Sequence, residues 1–289
     1  MQKSWSKSIF FWVPLICFGL ASPFLTDISK FERPVGVFAH GFWDFKTQVD
    51  NYKDFFPCQL ISFSFPDARN NKISLRQANL AQKKDINTLY QACQTMVALC
   101  DEIFLVGLSR GAATIATLLG TRDLPQVKAA ILESPFDCMD SVVNCLIKKR
   151  LHLGWFPGLT KFAKHALPWV FRKYKRDGVR PIDVVQNFPK DLPVLIVCSK
   201  EDKLVPAQGT IRLYKKLRKT GHNHAHLLVL NEGEHSKLVF GPEASKYKEV
   251  LHAFNKKYGL PHDSDCADRG EAEFSLCQPD VESLASFFP

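Results

Sequence analysis

Short apolar runs of strand length alternate with longer segments of helical periodicity along most of this chain. The strand-length runs lie at 34–39, 59–65, 103–106, 127–133, 193–199 and 225–230. The helical patterns lie at 44–56, 75–99, 207–218 and 242–258. Strands that alternate with helices imply right-handed crossovers, so the pattern predicts an α/β fold, a mostly parallel sheet flanked by helices.

One long interval, 138–191, interrupts this alternation with basic and aromatic residues. It is too apolar for a linker and too long for a loop, so it predicts a helical cap insertion within a domain that spans 34–260. The cap has two interpretations: it shapes a substrate pocket and contacts an anionic membrane, or it is a packing subdomain with a solvated basic face. The acidic segment 261–289 predicts a loosely docked tail.

The first residues have the features of an export signal. Lys3 and Lys7 precede an apolar run at 9–20, and Gly19 and Ala21 are small residues at the positions that a signal peptidase recognises. We therefore expect a signal peptide over 1–21 and a periplasmic or secreted protein. The run is shorter than the ~20 residues of a bilayer span and Pro14 interrupts it, so an uncleaved membrane anchor is the second choice and a buried N-terminal helix is the third.

Composition describes a folded globular protein, with 46% hydrophobic and 23% charged residues. The net charge of +9 permits acidic partners such as anionic lipid or nucleic acid, and a basic surface without such a partner is the alternative. No nucleic-acid motif accompanies the charge, so we expect no nucleic-acid partner. Removal of 1–21 would leave eight cysteines, an even number that permits disulfides in an exported protein. Cys266 and Cys277 share the tail and are the best candidates for a pair.

The run at 103–106 breaks at Gly107 and continues as a helical pattern of small residues. Glycines at 107 and 111 flank Ser109 and permit a strained turn that lifts the serine hydroxyl above the sheet. The five-residue pattern alone is common in ordinary loops, but the strand before it and the helix after it favour Ser109 as a nucleophile. Ser134 also follows a strand, but the helix of small residues is missing there.

A serine nucleophile needs a base within hydrogen-bond reach and an acid that orients the base. Glu201 and Asp202 follow one predicted strand, and His235 follows the next. The carboxyl ends of parallel strands meet at one edge of a sheet, so these groups are candidates for the same site. Either carboxylate fits the acid, and Asp183 is a weaker alternative.

Three further histidines, His222, His224 and His226, alternate where a strand begins. Such spacing is able to place three metal ligands on one strand face, but neither a nearby cysteine nor a fourth ligand accompanies them. A solvated strand entrance is therefore the expectation, and we expect no metal site.

Taken together, four motifs resemble the α/β-hydrolase superfamily over 34–258: His40-Gly41-Phe42, the Ser109 pentapeptide, 201–206 and 233–235. The resemblance implies that Ser109 is the nucleophile, His235 the base and then the acid, and Asp202 the carboxylate that orients His235. It also implies an oxyanion hole formed by the backbone N–H groups of Phe42 and Arg110, in which each donor contributes ~3 kcal/mol to the transition state.

These observations predict a serine hydrolase that cleaves a carboxylic ester, thioester or amide through an acyl-enzyme at Ser109. The apolar cap favours a small-molecule or lipid-like acyl substrate and esterase or lipase activity, while peptidase activity stays open. Such chemistry needs neither a metal nor an organic cofactor. The alternatives are an acyltransferase of the same fold and a non-catalytic binding protein.

Overall fold

The structure is a computed structural model that describes residues 34–69, 72–150, 152–153 and 158–285. The expected signal peptide at 1–21 and the last residues of the tail lie outside the described residues. Among the residues that are described, no helix combines the length and the apolar character needed to cross a bilayer.

Within the described part of the chain, six parallel strands form the main sheet in the order β2-β1-β5-β6-β7-β8. They are β1 Val35–Ala39, β2 Leu60–Ser62, β5 Ile103–Leu108, β6 Val127–Glu133, β7 Val194–Ser199 and β8 Ala225–Leu230. The continuous apolar runs are explained by burial on both faces, as for all six residues of β5. The predicted α/β fold with a mostly parallel sheet is confirmed.

Helices cover both faces of this sheet. On one face lie α1 (Lys83–Val97), α2 (Arg110–Leu119) and α6 (Ala207–Lys219), and on the other lie α7 (Ala244–Lys257) and a 3-10 helix at Lys46–Phe55. A short antiparallel pair, β3 (Ala68–Arg69) and β4 (Lys72–Ile73), precedes α1. Side chains of β5 alternate between the two faces, so the strand joins two hydrophobic cores.

Between β6 and β7 the chain forms helices α3 (Met139–Cys145), α4 (Leu159–Val170) and α5 (Pro181–Val184), with a π-helical turn at Leu146–Arg150. These residues occupy the interval in which the sequence predicts a cap. An apolar cluster holds α3, the π-helical turn and α4 against the loop before α1; its buried members are Ala78, Leu80, Val143, Ile147, Leu167 and Tyr174. Gln82 reinforces this contact, since its side chain donates to the carbonyl of Lys175 (2.6 Å) and accepts from the N–H of the same residue (2.8 Å).

Two elements are shorter than the sequence pattern suggests. Helix α1 begins at Lys83 rather than near 75, because Leu80 and Ala81 have positive φ angles of 51° and 65° that no helix accommodates. Strand β2 ends at Ser62, and the N–H of Phe65 donates to the Nε2 atom of His40 instead of to a neighbouring strand. In both places side-chain contacts override the local pattern.

The prediction of a loosely docked tail is wrong. Residues Ser264–Ser275 form helix α8, which packs on α7 and places Phe274 and Cys277 in the core. The acidic side chains of α8 pair with basic partners on α7, as in Lys256 with Asp268, while Arg269 of α8 pairs with Glu249. The acidic tail therefore forms its ion pairs with α7 and not with the cap.

The expected disulfide between Cys266 and Cys277 is also wrong, because both residues are free, buried thiols. Helix α8 rises by about 14 Å between Cys266 and its end at Ser275. The two Cα atoms of a disulfide lie within about 7 Å of each other, so helix formation keeps this pair apart.

Candidate active site

Ser109 occupies a sharp turn between β5 and α2, with φ at 54° and ψ at −113°. This backbone conformation is rare for a residue with a side chain and identifies a strained position. The glycine at 111 is required by close packing, because a Cβ atom there would overlap the carbonyl groups of Ala39 and His40. The turn is also fixed from below, since the N–H of Ser109 donates to the carbonyl of Glu133 at 2.7 Å.

A hydrogen-bonded chain connects Ser109 with one histidine and one carboxylate. The Nε2 atom of His235 lies 2.9 Å from the Ser109 Oγ, and its Nδ1 atom lies 2.6 Å from Oδ2 of Asp202. The second oxygen of Asp202 accepts from the N–H groups of Leu204 and Val205, both at 2.8 Å. Because the carboxylate accepts from Nδ1–H, the neutral imidazole presents an unprotonated Nε2 to the serine hydroxyl.

The other acids and the rival serine lie elsewhere. Glu201 is exposed and accepts from the N–H of Gly233 at 3.3 Å, while Asp183 forms a two-pronged ion pair with Arg180. The Ser134 hydroxyl is buried and has no hydrogen-bond partner among the described residues. Of the candidates from the sequence, the structure therefore brings together Ser109, Asp202 and His235.

The turn after β1 lies against the start of α2, beside the serine. His40 accepts from the N–H of Phe65 through Nε2, so its proton is on Nδ1 and is donated to the carbonyl of Gly41 at 2.8 Å. Burial lowers the pKa of His40 to about 4, which keeps the ring neutral. This histidine therefore shapes the turn.

Two backbone N–H groups at this place fit the predicted oxyanion hole. The N–H of Gly41 donates to the side chain of Gln48 at 2.7 Å, whereas the next N–H, that of Phe42, has no acceptor among the described residues. The N–H of Arg110 is in the first turn of α2 and has no intrahelical acceptor. An oxyanion role for Phe42 and Arg110 stays a prediction.

The side chain of Arg110 forms a buried ion cluster that sequence reasoning missed. Its guanidinium donates to both oxygens of Asp85 and to both oxygens of Asp67, and it stacks on the Phe65 ring at 4.3 Å. Burial alone would lower the pKa of Arg110, but Asp85 and Asp67 raise it above the ordinary value. The cluster ties the helix that carries Ser109 to the start of α1 and to the loop after β2.

A second missed group is Glu133, the last residue of β6. Its side chain is buried beneath the turn that holds Ser109. The Tyr52 hydroxyl donates to Oε2 at 2.8 Å, whereas Oε1 and the nearby Tyr247 hydroxyl have no hydrogen-bond partner among the described residues. Burial raises the pKa of Glu133 to about 7, and the hydroxyl groups of Tyr52 and Tyr247 oppose this rise.

The expectation of a solvated strand entrance at 222–226 is wrong. His222 and His226 are buried, and the Nε2 of His226 lies 2.7 Å from the Tyr258 hydroxyl. The rings of Phe254 and Phe274 surround His226. Burial lowers the pKa of His226 to about 3, so this histidine is a neutral member of the core between β8 and α8.

An open cleft of about 690 Å³ lies beside the triad and is lined by both Asp202 and His235. Leu204 gives it an apolar side, since this residue also packs on a small hydrophobic cluster beneath the cap. Ala113 of α2 belongs to that cluster and lies about one helical turn after Ser109, so the cluster reaches close to the serine. The rest of its lining is polar or charged: His152, Lys200, Glu201, Lys203, Glu234 and Lys237.

Comparison with solved structures shows the fold. A Pyrococcus furiosus esterase matches with a TM-score of 0.56 and 14% identity, over 80% of this chain and 83% of the other. A Pyrococcus horikoshii acylaminoacyl peptidase matches with a TM-score of 0.57 and 18% identity, over 80% of this chain and 37% of the other. A Paleococcus ferrophilus monoacylglycerol lipase matches with a TM-score of 0.52 and 14% identity, over 77% and 94%.

Sequence comparison shows the family. The uncharacterized protein YqkD of Bacillus subtilis is 26% identical over 173 residues, which are 60% of this chain and 54% of that protein. The match thus spans about half of the relative's length. The sequence model of peptidase S9, the prolyl oligopeptidase family, matches residues 84–259, which include Ser109, Asp202 and His235. Since that match covers more than half of the chain, the protein belongs to the prolyl oligopeptidase family, and its fold is that of the α/β-hydrolases.

Proposed function

We propose that this hydrolase cleaves carboxylic esters through an acyl-enzyme formed on Ser109. The observation that carries the proposal is the continuous hydrogen-bonded chain from Ser109 through His235 to Asp202. A serine hydroxyl is a weak nucleophile at neutral pH, and this arrangement supplies the base that activates it and the carboxylate that orients the base.

In the first half of the reaction, the Ser109 Oγ attacks the acyl carbonyl while the Nε2 of His235 takes the hydroxyl proton. The N–H groups of Phe42 and Arg110 stabilise the negative charge that develops on the carbonyl oxygen. Collapse of the tetrahedral intermediate breaks the ester bond, and His235 returns the proton to the departing alcohol. Water then attacks the acyl-enzyme by the same route and releases the acid and the free serine.

The substrate has an apolar acyl part in this proposal, and the observation that favours it is Leu204, which lines the cleft and packs on the hydrophobic cluster beneath the cap. The other residues that line the cleft are polar or charged. Amide cleavage is the second candidate, because the family is named for a peptidase and the same groups attack either carbonyl. Amides are intrinsically less reactive than esters and need more stabilisation of the transition state. The relative rates of ester and amide cleavage therefore distinguish an esterase from a peptidase.

A fluorophosphonate probe tests the nucleophile. We expect stoichiometric labelling that is lost in Ser109→Ala and retained in Ser134→Ala, the matched control with a serine at the end of the neighbouring strand. His235→Gln should slow labelling strongly. A folded protein that resists the probe, or labelling that persists without Ser109, would overturn the proposal.

Substrate profiling separates ester from amide cleavage. p-Nitrophenyl esters of increasing acyl length, assayed beside an aminopeptidase panel, should show higher kcat/KM for the esters, with a preference for apolar acyl groups. Assays with added alcohols or amines then distinguish water from another acyl acceptor. Efficient peptide cleavage without ester cleavage, or a product that forms only with an acceptor, would contradict ester hydrolysis.

A further inference from the structure

Helix α4 of the cap exposes large apolar side chains to solvent. Trp169 is 80% exposed and Phe162 is 64% exposed, and a spacing of seven residues places both on the same face, two turns apart. Leu167 and its neighbours at 159 and 163 pack inward on an adjacent face of the same helix. A helix with two apolar faces usually packs against other groups on both of them, so the outward face of α4 is expected to bind a partner.

Positive charge surrounds this face. Between residues 141 and 176 the chain has nine Lys and Arg residues and no Asp or Glu. Of the six basic residues at 161–176, only Lys164 has an acidic partner among the described residues, with Asp140 at 3.7 Å. The exposed basic residues are Lys161, Arg172, Lys173, Lys175 and Arg176. The apolar face is thus bordered by five exposed cations that form no ion pair with an acidic residue among the described residues.

A second exposed tryptophan lies next to this surface. Phe171, directly after α4, contacts the Phe42 ring edge-on at 5.7 Å, and Phe42 contacts Trp43 at 4.7 Å. Trp43 is 62% exposed and has a φ angle of 67°, a costly conformation for a large side chain. Strain that holds an aromatic ring out in solvent indicates a function for that ring rather than a packing role.

We propose that the outward face of α4, its basic border and Trp43, here called the cap surface, dock the protein on an anionic lipid bilayer. Trp and Phe side chains favour the layer between headgroups and acyl chains, and Lys and Arg side chains pair with lipid phosphates. Lipid suits the surface better than an acidic protein, because Phe162 and Trp169 offer only apolar contact and the polar side chain between them, His165, has its Nδ1 atom hydrogen-bonded to the carbonyl of Lys161 at 2.7 Å. Docking there holds Phe42, beside the Ser109 turn, toward the membrane.

Vesicle sedimentation with the full chain tests this proposal. Wild-type protein should bind vesicles of phosphatidylglycerol and phosphatidylcholine more tightly than vesicles of phosphatidylcholine alone, and added salt should weaken binding. Trp169→Ser and Phe162→Ser should each reduce binding roughly tenfold. Lys173→Gln and Lys175→Gln should each reduce it about fivefold, and these exposed positions tolerate substitution without loss of folding.

Matched controls lie on other surfaces. Leu276→Ser removes an equally exposed apolar side chain at the end of α8, and Lys190→Gln and Lys219→Gln remove exposed charges near the amino ends of β7 and β8. These variants should bind as wild type does. The apolar segment at 9–20 is present in every variant, so any lipid affinity that it has is common to all.

Quenching of tryptophan fluorescence by brominated lipid distinguishes insertion from simple charge attraction. The wild type should lose more fluorescence than Trp169→Phe on the same vesicles. Equal binding of wild-type and cap-surface variants, no binding to anionic vesicles, or cap-dependent binding of an acidic polypeptide or RNA instead of vesicles would each overturn the proposal. Ser109→Ala should bind vesicles normally, so failure of the proposed hydrolysis and failure of docking give different results.

Discussion

Replacement of Glu133 by glutamine should make the protein more stable at alkaline pH and leave its stability unchanged in acid. Glutamine keeps the size of the side chain and an oxygen that accepts from Tyr52, but it carries no charge. Burial raises the pKa of Glu133 from 4.5 to about 7 in the folded protein. Because each pKa unit corresponds to 1.36 kcal/mol, ionisation of the buried carboxyl costs about 3 kcal/mol of folding free energy.

The sign of the effect follows from proton binding. The folded protein holds the Glu133 proton more tightly than the unfolded chain, so the full stability is present below pH 4.5 and is lost as the pH rises to about 7. All other titrating groups are common to the wild type and the variant. The difference between the two proteins therefore isolates the contribution of this one carboxyl.

Urea unfolding at a series of pH values, followed by circular dichroism, measures this difference. The variant and the wild type should be equally stable below pH 4.5 and separate by about 3 kcal/mol above pH 7. Tyr52→Phe should widen the pH dependence, since its hydroxyl opposes the raised pKa. Glu271→Gln, exposed on α8, is the control. A difference between wild type and E133Q that does not change with pH would refute the reasoning.

Three further substitutions test other parts of the site and core. Gly111→Ala should abolish activity and lower the free energy of unfolding in urea by about 3 kcal/mol, because the added Cβ would overlap backbone carbonyls. Gly221→Ala, whose Cβ meets open space, is the control and should lower it by about 1 kcal/mol and leave activity intact. Arg110→Met leaves two buried carboxyl groups without their cation and should lower the unfolding free energy by about 3–5 kcal/mol; no measurable loss would contradict the buried cluster. His226→Phe should move the midpoint of acid unfolding to lower pH, because burial lowers the pKa of His226 to about 3 and the wild type therefore loses stability as the pH falls from 6.5. The control, His165→Gln on the exposed face of α4, should leave the midpoint unchanged.

The sequence predicts the sheet and the positions of the triad residues, because both depend on the hydrophobic pattern within short segments of the chain. Strands such as β5 are apolar throughout since both of their faces are buried, and Ser109, Asp202 and His235 each follow such a strand. Parallel strands end at one sheet edge, so order along the chain sufficed to bring the three residues together. Their hydrogen-bond distances, by contrast, depend on the packing of the complete domain.

The Arg110 cluster was inaccessible because its partners come from irregular segments. Asp67 follows a short strand and Asp85 lies in the first turn of α1, and both resemble ordinary surface acids in the sequence. Helix α8 did carry a signal that the acidic composition of the tail obscured. Its buried residues Cys266, Ala267, Gly270 and Phe274 recur at helical spacing. Periodicity was therefore a better guide there than charge.

The order of strands in the sheet determines when during folding the active site is completed. Ser109 follows a strand flanked by β1 and β6, while His235 follows the edge strand β8, and 126 residues separate the two side chains. Parallel strands gain their partners only after long loops have closed, and such non-local contacts make folding slow. Reactivity at Ser109 should therefore return late in refolding, after most of the helical signal, and will report completion of the native topology.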